Sequence, residues 1–132
     1  METSMTLTDL QNRAWQTAKD KGFIDIKPER TIGDQLMLAV GELSEALEEI
    51  RAGHPPSLIY YKGVCKCGYA MTEKCETCGT FSKPEGFPIE IADCIIRLGQ
   101  LAETCQFDLN NATKLKMDYN DTRPALHGGK KL

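Results

Sequence analysis

The segment from Ile89 to Ala102 constrains the fold most, because it is apolar on almost every side of the helix that its spacing predicts. A helix of that kind is buried in a protein core. Two carboxylates, Glu90 and Asp93, nevertheless lie three residues apart within it, which places them side by side. A buried carboxylate is unfavourable unless it is paired with a cation or binds a metal. The helix must therefore meet either a metal site or an ion-pair partner, for which Arg97, one turn further on, is the candidate.

The spacing of apolar residues predicts four helices and no extended sheet. Gly22 and Gly53 are placed to end the first two helices, and Asp108 is placed to begin the last one. Only the short run Ser57–Tyr61 has the composition of a strand. The chain is therefore predicted to be all-α, with residues 1–132 forming one four-helix domain. The helices are predicted at about Thr8–Asp20, Thr31–Arg51, Ile89–Cys105 and Leu109–Tyr119.

The second helix has an apolar side and an acidic side. Its apolar residues recur every three or four positions and form one stripe, made of Leu36, Val40, Leu43, Leu47 and Ile50. Glu42, Glu45 and Glu49 lie together on another side of the helix. A solvated acidic flank is the simplest interpretation of these glutamates. If Glu42 and Glu45 face Glu90 and Asp93, however, the four form a dense set of hard oxygen ligands, which is the type that Mg²⁺ prefers.

The end of the fourth helix is basic, although the chain as a whole has a net charge of -3. Lys116, Asn120 and Arg123 are four and three residues apart, so they share one face. The tail adds His127, Lys130 and Lys131. Cations at a helix C-terminus are common because they suit the helix dipole. The same three side chains on the helix also form a phosphate-binding set, with a point charge, an amide donor and a guanidinium fork.

On these residues the chain resembles the MazG-like all-α nucleotide pyrophosphohydrolases. The family signature is E-x-x-E on one helix and E-x-x-D on the next, matched here by Glu42 with Glu45 and by Glu90 with Asp93. The segment KMDYNDTRP is similar to the family's K-x-x-x-N-x-x-R phosphate-contacting segment. The resemblance implies Mg²⁺-dependent hydrolysis of a (deoxy)nucleoside triphosphate to the monophosphate and pyrophosphate, with Glu45 as the candidate base. It also implies a homodimer or homotetramer, and base stacking on Trp15, which is equally suited to an ordinary place in the core.

An insertion at residues 55–86, between the second and third helices, departs from the family, in which this loop is commonly short. It contains Cys65-x-Cys67 and Cys75-x-x-Cys78, and each pair is followed by a glycine. Four thiolates in two short-spaced pairs are what a tetrahedral Zn²⁺ site requires. We therefore predict a structural Zn²⁺ in a zinc knuckle, whereas Cys94 and Cys105 are predicted to be packing residues.

The composition excludes several other classes of protein. The acidic balance argues against coating nucleic acid, no apolar run approaches the ~18 residues of a membrane span, and the first residues lack a secretion signal. A cytoplasmic protein without a membrane or stable nucleic-acid partner is therefore predicted. Two alternatives to the pyrophosphohydrolase remain. One is a non-enzymatic zinc-knuckle adaptor whose helices only dimerise and whose knuckle binds a partner through Lys62, Lys66, Lys74 and Lys83. The other is a sister activity such as phosphoribosyl-ATP hydrolysis.

Overall fold

The computed structural model describes residues 4–25, 27–63, 65–68, 74–80 and 82–125. Its helices are α1 (Leu7–Asp20), α2 (Ile32–Arg51), α3 (Phe87–Thr104) and α4 (Leu109–Thr122), and its strands are β1 (Tyr60–Lys62) and β2 (Lys83–Glu85). The protein is therefore mostly helical, as predicted. No helix in this described part has both the length and the apolar composition needed to cross a membrane. The chain divides into two compact units, one formed by residues up to 26 together with those from 99 onward, the other by Lys27–Leu98.

Three helices begin where local side-chain chemistry favours a start. In α1, Thr6 Oγ1 accepts the Asp9 N–H at 3.1 Å, and the Asp9 carboxylate accepts the Thr6 N–H at 2.9 Å. Thr31 and Asp34 form the same reciprocal pair before α2, at 3.0 and 2.8 Å. These capping boxes satisfy backbone donors that a helix leaves free at its first turn. The predicted cap of α4 is confirmed, since the Asp108 carboxylate accepts a backbone N–H three residues later at 3.0 Å.

The third helix begins at Phe87, two residues earlier than predicted. The prediction placed its start after Pro88, but a proline is tolerated in the first turn, where its missing N–H has no helical partner to lose. Gly86 precedes the helix with a φ of +123°, and its carbonyl accepts the N–H groups of Ile89 and Glu90 at 2.9 and 3.1 Å. A Cβ at Gly86 would lie 2.2 Å from the carbonyl oxygen of Leu58, so only glycine fits this junction.

In the unit that contains both chain ends, a buried glutamine joins α1 to the connection between α3 and α4. The Gln11 amide nitrogen donates to the Glu103 carboxylate and to the Phe107 carbonyl, both at 2.8 Å. Its amide oxygen accepts the Leu109 N–H at 3.0 Å. Because a buried amide is costly without partners, these three bonds fix α1 against the start of α4.

In the Lys27–Leu98 unit, α2 buries one of its glutamates, Glu42, and exposes its apolar stripe. The buried residues of α2 are Ala39, Glu42 and Ala46. The five stripe residues Leu36, Val40, Leu43, Leu47 and Ile50 are 38–47% exposed. The third helix, predicted to be buried on all sides, also leaves apolar residues at the surface, namely Ile95, Ile96 and Leu98. A single chain therefore presents apolar helix surface to its surroundings.

The insertion contains a small antiparallel sheet made of one predicted and one unpredicted strand. Tyr60 pairs with Glu85, Tyr61 with Pro84, and Lys62 with Lys83. The strand-like run predicted at 57–61 overlaps β1, although β1 begins only at Tyr60. A proline within β2 made that strand difficult to predict, since proline cannot donate to a strand ladder and is confined to edges. In a two-stranded sheet both strands are edges, so Pro84 is tolerated.

Candidate metal centres

Three carboxylates from α2 and α3 converge in the Lys27–Leu98 unit. One oxygen each of Glu42, Glu45 and Glu90 lies within 4.8 Å of the others. Glu90 and Glu42 are only 6% and 9% exposed, whereas Glu45 is exposed. We call these three residues the carboxylate cluster. Helical spacing brings the two α2 residues to one side, and the first turn of α3 presents Glu90 to them.

Asp93, the fourth predicted ligand, lies one turn after Glu90 and is not among the three close carboxylates. It is half-buried, and burial together with the negative charge of Glu42 raises its pKa. The positive charge of Arg97 acts in the opposite direction. Asp93 therefore interacts electrostatically with the carboxylate cluster but does not belong to it.

Burial raises the pKa of Glu90 from 4.5 to about 7, with further contributions from a hydrogen bond to Glu45 and from the charges of the neighbouring carboxylates. The carboxylate cluster thus binds a proton near neutral pH when no metal is present. A divalent cation would favour the charged form and displace that proton.

Arg97 has a different partner from the one its spacing suggests. The sequence places it one turn after Asp93, where it was expected to neutralise Glu90 or Asp93. Its Nε instead donates to Glu42 Oε1 at 2.5 Å, which joins α3 to α2. The long guanidinium side chain reaches the neighbouring helix rather than folding back along its own. This ion pair balances the negative charge of Glu42, whereas the pKa of Glu90 remains raised.

A second group of close carboxylates includes a residue from the insertion. Oxygens of Glu49, Glu85 and Glu90 also lie within 4.8 Å of one another. Glu85 belongs to β2, is 6% exposed, and pairs with Lys83 at 3.0 Å and with Lys62 at 3.9 Å. Sequence reasoning missed Glu85, because its approach to Glu90 depends on strand pairing and has no helical spacing to reveal it.

Glu49 is held by two further side chains that the sequence did not single out. The Tyr60 hydroxyl donates to Glu49 Oε1 at 2.8 Å, and His54 Nδ1 lies 2.6 Å from Glu49 Oε2. These hydrogen bonds lower the pKa of Glu49, and the bond to Glu49 raises the pKa of Tyr60 to about 12. Glu49 is therefore a carboxylate of fixed orientation next to the carboxylate cluster.

The four predicted cysteine ligands form a second cluster in the same unit. The sulfur atoms of Cys65, Cys67, Cys75 and Cys78 all lie within 4.8 Å of one another. The backbone turns tightly after each pair: the Gly68 N–H donates to the Cys65 carbonyl at 2.9 Å, and the Gly79 N–H donates to the Cys75 carbonyl at 2.8 Å. Both glycines have positive φ, at +84° and +71°. The prediction that these four cysteines, here called the cysteine cluster, lie close enough to bind a metal such as zinc is confirmed.

The thiols of the cysteine cluster hold their protons very unequally. Hydrogen bonds to the side chain and backbone of Thr80 lower the pKa of Cys78 to about 6. Hydrogen bonding to Cys78 and its negative charge, together with burial, raise the pKa of Cys67 to about 12. If all four cysteines were thiolates at this spacing, a bound cation would offset their mutual repulsion. Cys94 is buried within α3, as predicted for a packing residue, whereas the same prediction is wrong for Cys105, which is exposed just after the helix; neither belongs to the cluster.

The predicted phosphate-binding residues lie in the other compact unit. Lys116 and Asn120 are on α4, and Arg123 follows its last residue. All three are exposed, and Lys116 Nζ lies 4.9 Å from the centre of the Tyr119 ring. The predicted basic tail, with His127, Lys130 and Lys131, lies outside the described residues. Lys116 and Arg123 are thus accessible, although the last turn of α4 itself contains no basic residue.

Trp15, the predicted base-stacking residue, is on α1 and is half-buried. Lys19, one turn later, has its Nζ 5.1 Å from the centre of the indole ring. One part of the ring surface is therefore covered by the chain's own cation, an interaction that is favourable with the face of an indole.

Comparison with known proteins adds no family assignment. No family model, no curated protein and no solved structure matches the chain. Functional inference therefore depends on the geometry and chemistry of the two clusters.

Proposed function

We propose that this chain is an Mg²⁺-dependent nucleoside triphosphate pyrophosphohydrolase with a structural Zn²⁺ site, of the MazG-like type that its sequence resembles. The observation that supports the proposal most is the convergence of Glu42, Glu45 and Glu90 within 4.8 Å. These residues belong to the E-x-x-E and E-x-x-D pairs on which the resemblance depends.

The chemistry of the carboxylate cluster fits Mg²⁺. The ligands are hard oxygens, and Mg²⁺ binds to proteins through a few carboxylates while keeping waters and substrate phosphates. Burial, followed by the hydrogen bond and the negative charge of Glu45, raises the pKa of Glu90, and a bound cation would favour its charged form. When bound, the ion would polarise phosphate oxygens and lower the pKa of the attacking water.

The residues of the chain have separate roles in this proposal. Glu42, Glu45, Glu90 and Asp93 would hold the cation, and Glu45, the exposed member of the cluster, would also be the base that accepts a proton from the attacking water. Phosphate binding is assigned to Lys116, Asn120 and Arg123, and base stacking to Trp15. Their exposure at the end of α4 leaves the three phosphate-binding residues accessible to a ligand.

The Zn²⁺ assignment follows from the cysteine cluster. Four sulfurs fill all four positions of a tetrahedral site, which leaves no position for a catalytic water and makes the site structural. The metal would hold all four cysteines as thiolates, including Cys67, whose pKa is raised in the metal-free chain.

The proposal also includes association of the chain with a second copy. The exposed apolar stripe of α2, with Met37 beside it at 65% exposed, supports this part. Exposed apolar surface that is continuous along a helix is typical of an interaction face. A homodimer or homotetramer would bury it.

The alternative is the zinc-knuckle adaptor, and the lysines around the knuckle are the observation that favours it. Lys66 and Lys74 are exposed next to the cysteines. Lys62 and Lys83 pair with Glu85 within the chain. The basic character that a partner would meet is therefore smaller than the sequence suggests.

Measurement of pyrophosphate release from a panel of nucleoside triphosphates, with Mg²⁺ and with a chelator, tests the proposal. We expect Mg²⁺-dependent release of pyrophosphate and a monophosphate, and no release from diphosphates. Absence of turnover for every triphosphate, while the protein still binds zinc, would favour the adaptor. Release from phosphoribosyl-ATP alone would indicate the sister activity.

The phosphate-binding assignment has its own test. Arg123→Lys keeps the charge but loses the planar two-pronged donor, so it should raise KM by about 10-fold or more, as expected from the ~1.5–3 kcal/mol of a hydrogen bond to a charged group. Lys114→Ala is the matched control, because Lys114 lies on the same helix and pairs with Asp118 at 2.5 Å. If Arg123→Lys and Lys114→Ala have the same KM as the wild type, the assignment fails.

A further inference from the structure

A single hairpin joins the two clusters. The strands pair from Tyr60–Glu85 to Lys62–Lys83, and the connection between them, residues 63–82, contains the whole cysteine cluster. At the other end of the hairpin, Gly86 leads directly into α3, whose first turn contains Glu90. One end of the hairpin therefore bears sulfur ligands, and the other end lies beside the carboxylates.

Two side chains at the base of the hairpin lie beside carboxylates of α2 and α3. Tyr60 donates a hydrogen bond to Glu49 at 2.8 Å, and the Glu85 carboxylate lies within 4.8 Å of those of Glu49 and Glu90. Tyr60 and Glu85 are directly opposite each other in the sheet, so their side chains leave it on the same face. Any change in the pairing of the strands would move both side chains away from the carboxylates together.

The hairpin needs support at both ends to keep this pairing. A two-stranded hairpin is at best marginally stable on its own, and this one has only three residue pairs. Its base is fixed by the close approach of Gly86 to the carbonyl of Leu58. At its far end, metal binding by four cysteines would close the connection and contribute folding free energy.

We propose that a metal ion bound by the cysteine cluster holds the hairpin so that Glu85, beside Glu90, and Tyr60, through Glu49, position the carboxylates around Glu90 for a cation of their own. The second part rests on the proposed function, which assigns a divalent cation to those carboxylates. Tyr60 and Glu85 are positioning residues in this scheme. Tyr60 orients the Glu49 carboxylate through its hydrogen bond, and Glu85 limits the movement of the Glu90 side chain beside it. The zinc site then affects the affinity of a cation that it does not contact.

Binding of Mn²⁺, a spectroscopic probe for oxygen-ligand sites, tests the proposal without an activity assay. The full chain is compared with one equivalent of Zn²⁺, after removal of Zn²⁺ with a thiol-directed mercurial and thiol wash, and after reloading with Co²⁺. The absorption of tetrahedral Co²⁺–thiolate reports that the cysteine cluster is filled. We expect removal to weaken Mn²⁺ binding by about 10-fold or more, as changes in outer-shell partners of metal ligands do, and reloading to restore it.

Variants of Glu85 identify the route of the coupling. Glu85→Gln should weaken Mn²⁺ binding to the zinc-loaded chain while its zinc content stays unchanged, and Glu85→Asp should recover part of the loss. In the zinc-free chain, Glu85→Gln should have little additional effect, because the positioning is already lost. Glu76→Gln is the matched control: it removes the same charge from an exposed residue between two of the cysteines, and it should bind Mn²⁺ as the wild type does.

Three results would overturn the proposal, and each has a different meaning. An Mn²⁺ affinity that is the same with and without zinc would remove the coupling and leave the proposed function intact. Failure of the zinc-loaded wild type to bind Mn²⁺ would remove both. Strictly additive losses from zinc removal and Glu85→Gln would show that the two act separately, so that Glu85 is not positioned by the zinc site.

Discussion

The carboxylate cluster and the cysteine cluster bring ligands together in opposite ways. The carboxylate cluster is built on helices: Glu42 and Glu45 lie on the 20-residue α2, and Glu90 lies in the first turn of the 18-residue α3. The cysteine cluster lies on turns, where two glycines with positive φ allow the backbone to bend around a small centre. The first arrangement leaves Glu45 exposed, and the second brings four sulfur atoms close enough to bind a metal such as zinc. This difference suggests that one site is open for chemistry and the other closed for structure.

The largest expected effect concerns the carboxylate cluster. Glu90→Gln keeps the side-chain volume but removes a ligand charge, so turnover should fall by more than about 100-fold, beyond the 10–100-fold typical of changes to outer-shell partners. The measurement is Mg²⁺-dependent pyrophosphate release. Glu48→Gln is the control, since Glu48 is exposed on α2 and pairs with Arg51 at 2.7 Å outside the cluster. Near wild-type activity of Glu90→Gln would make the carboxylate cluster a structural ion-pair network.

For the cysteine cluster, we expect a substitution to remove the bound metal rather than to act directly on catalysis. Elemental analysis of protein purified without added zinc should give about one zinc per chain, as expected for a four-sulfur site. Cys78→Ser should lose that zinc and its protection of the hairpin from proteolysis while the far-UV signal of the helices persists. Cys105→Ser, which changes an exposed cysteine outside the cluster, should keep both. A disulfide within the cluster, or zinc retained by Cys78→Ser, would contradict the assignment.

A smaller effect is expected on the pH dependence of stability without metal. Folded Glu90 has a pKa of about 7 against an ordinary value of 4.5, so the folded chain binds the proton more tightly than the unfolded chain. Its contribution to stability is therefore fully present below about 4.5 and is lost as the pH rises through about 7. Urea unfolding in the presence of chelator should show this decline in the wild type and much less of it in Glu90→Gln. Parallel pH curves for the two proteins would mean that Glu90 is not perturbed in solution.

The sequence predicted those parts of the molecule that depend on local spacing. Helix positions, the Asp108 cap and the two cysteine pairs all follow from residues within a few positions of one another. The two glutamates of α2 were also placed correctly on one side, because helical geometry fixes their angle. These features need no knowledge of what packs against them.

Features that depend on tertiary packing were not predictable in the same way. Arg97 was expected to pair along its own helix, and only the position of α2 reveals Glu42 as its partner. Glu85 comes close to Glu90 through strand pairing, for which a segment containing proline gives no periodic signal. The exposure of the α2 stripe likewise depends on which side of the helix the remaining chain covers. In each case the missing information was the neighbour of a side chain, not the conformation of its backbone.

The register of β1 and β2 has a consequence for how the insertion could be redesigned. Lys62 and Lys83 form the last residue pair of the sheet, so they stand where a tight turn could connect the strands directly. A two-residue loop with Asn-Gly between them would have the twist that such strands prefer. A shortened chain of this kind would retain Tyr60 opposite Glu85 without any cysteine of the cluster. In this sense the proposed zinc site would be a metal-dependent substitute for a hairpin turn, and the folding of the shortened chain would not depend on zinc.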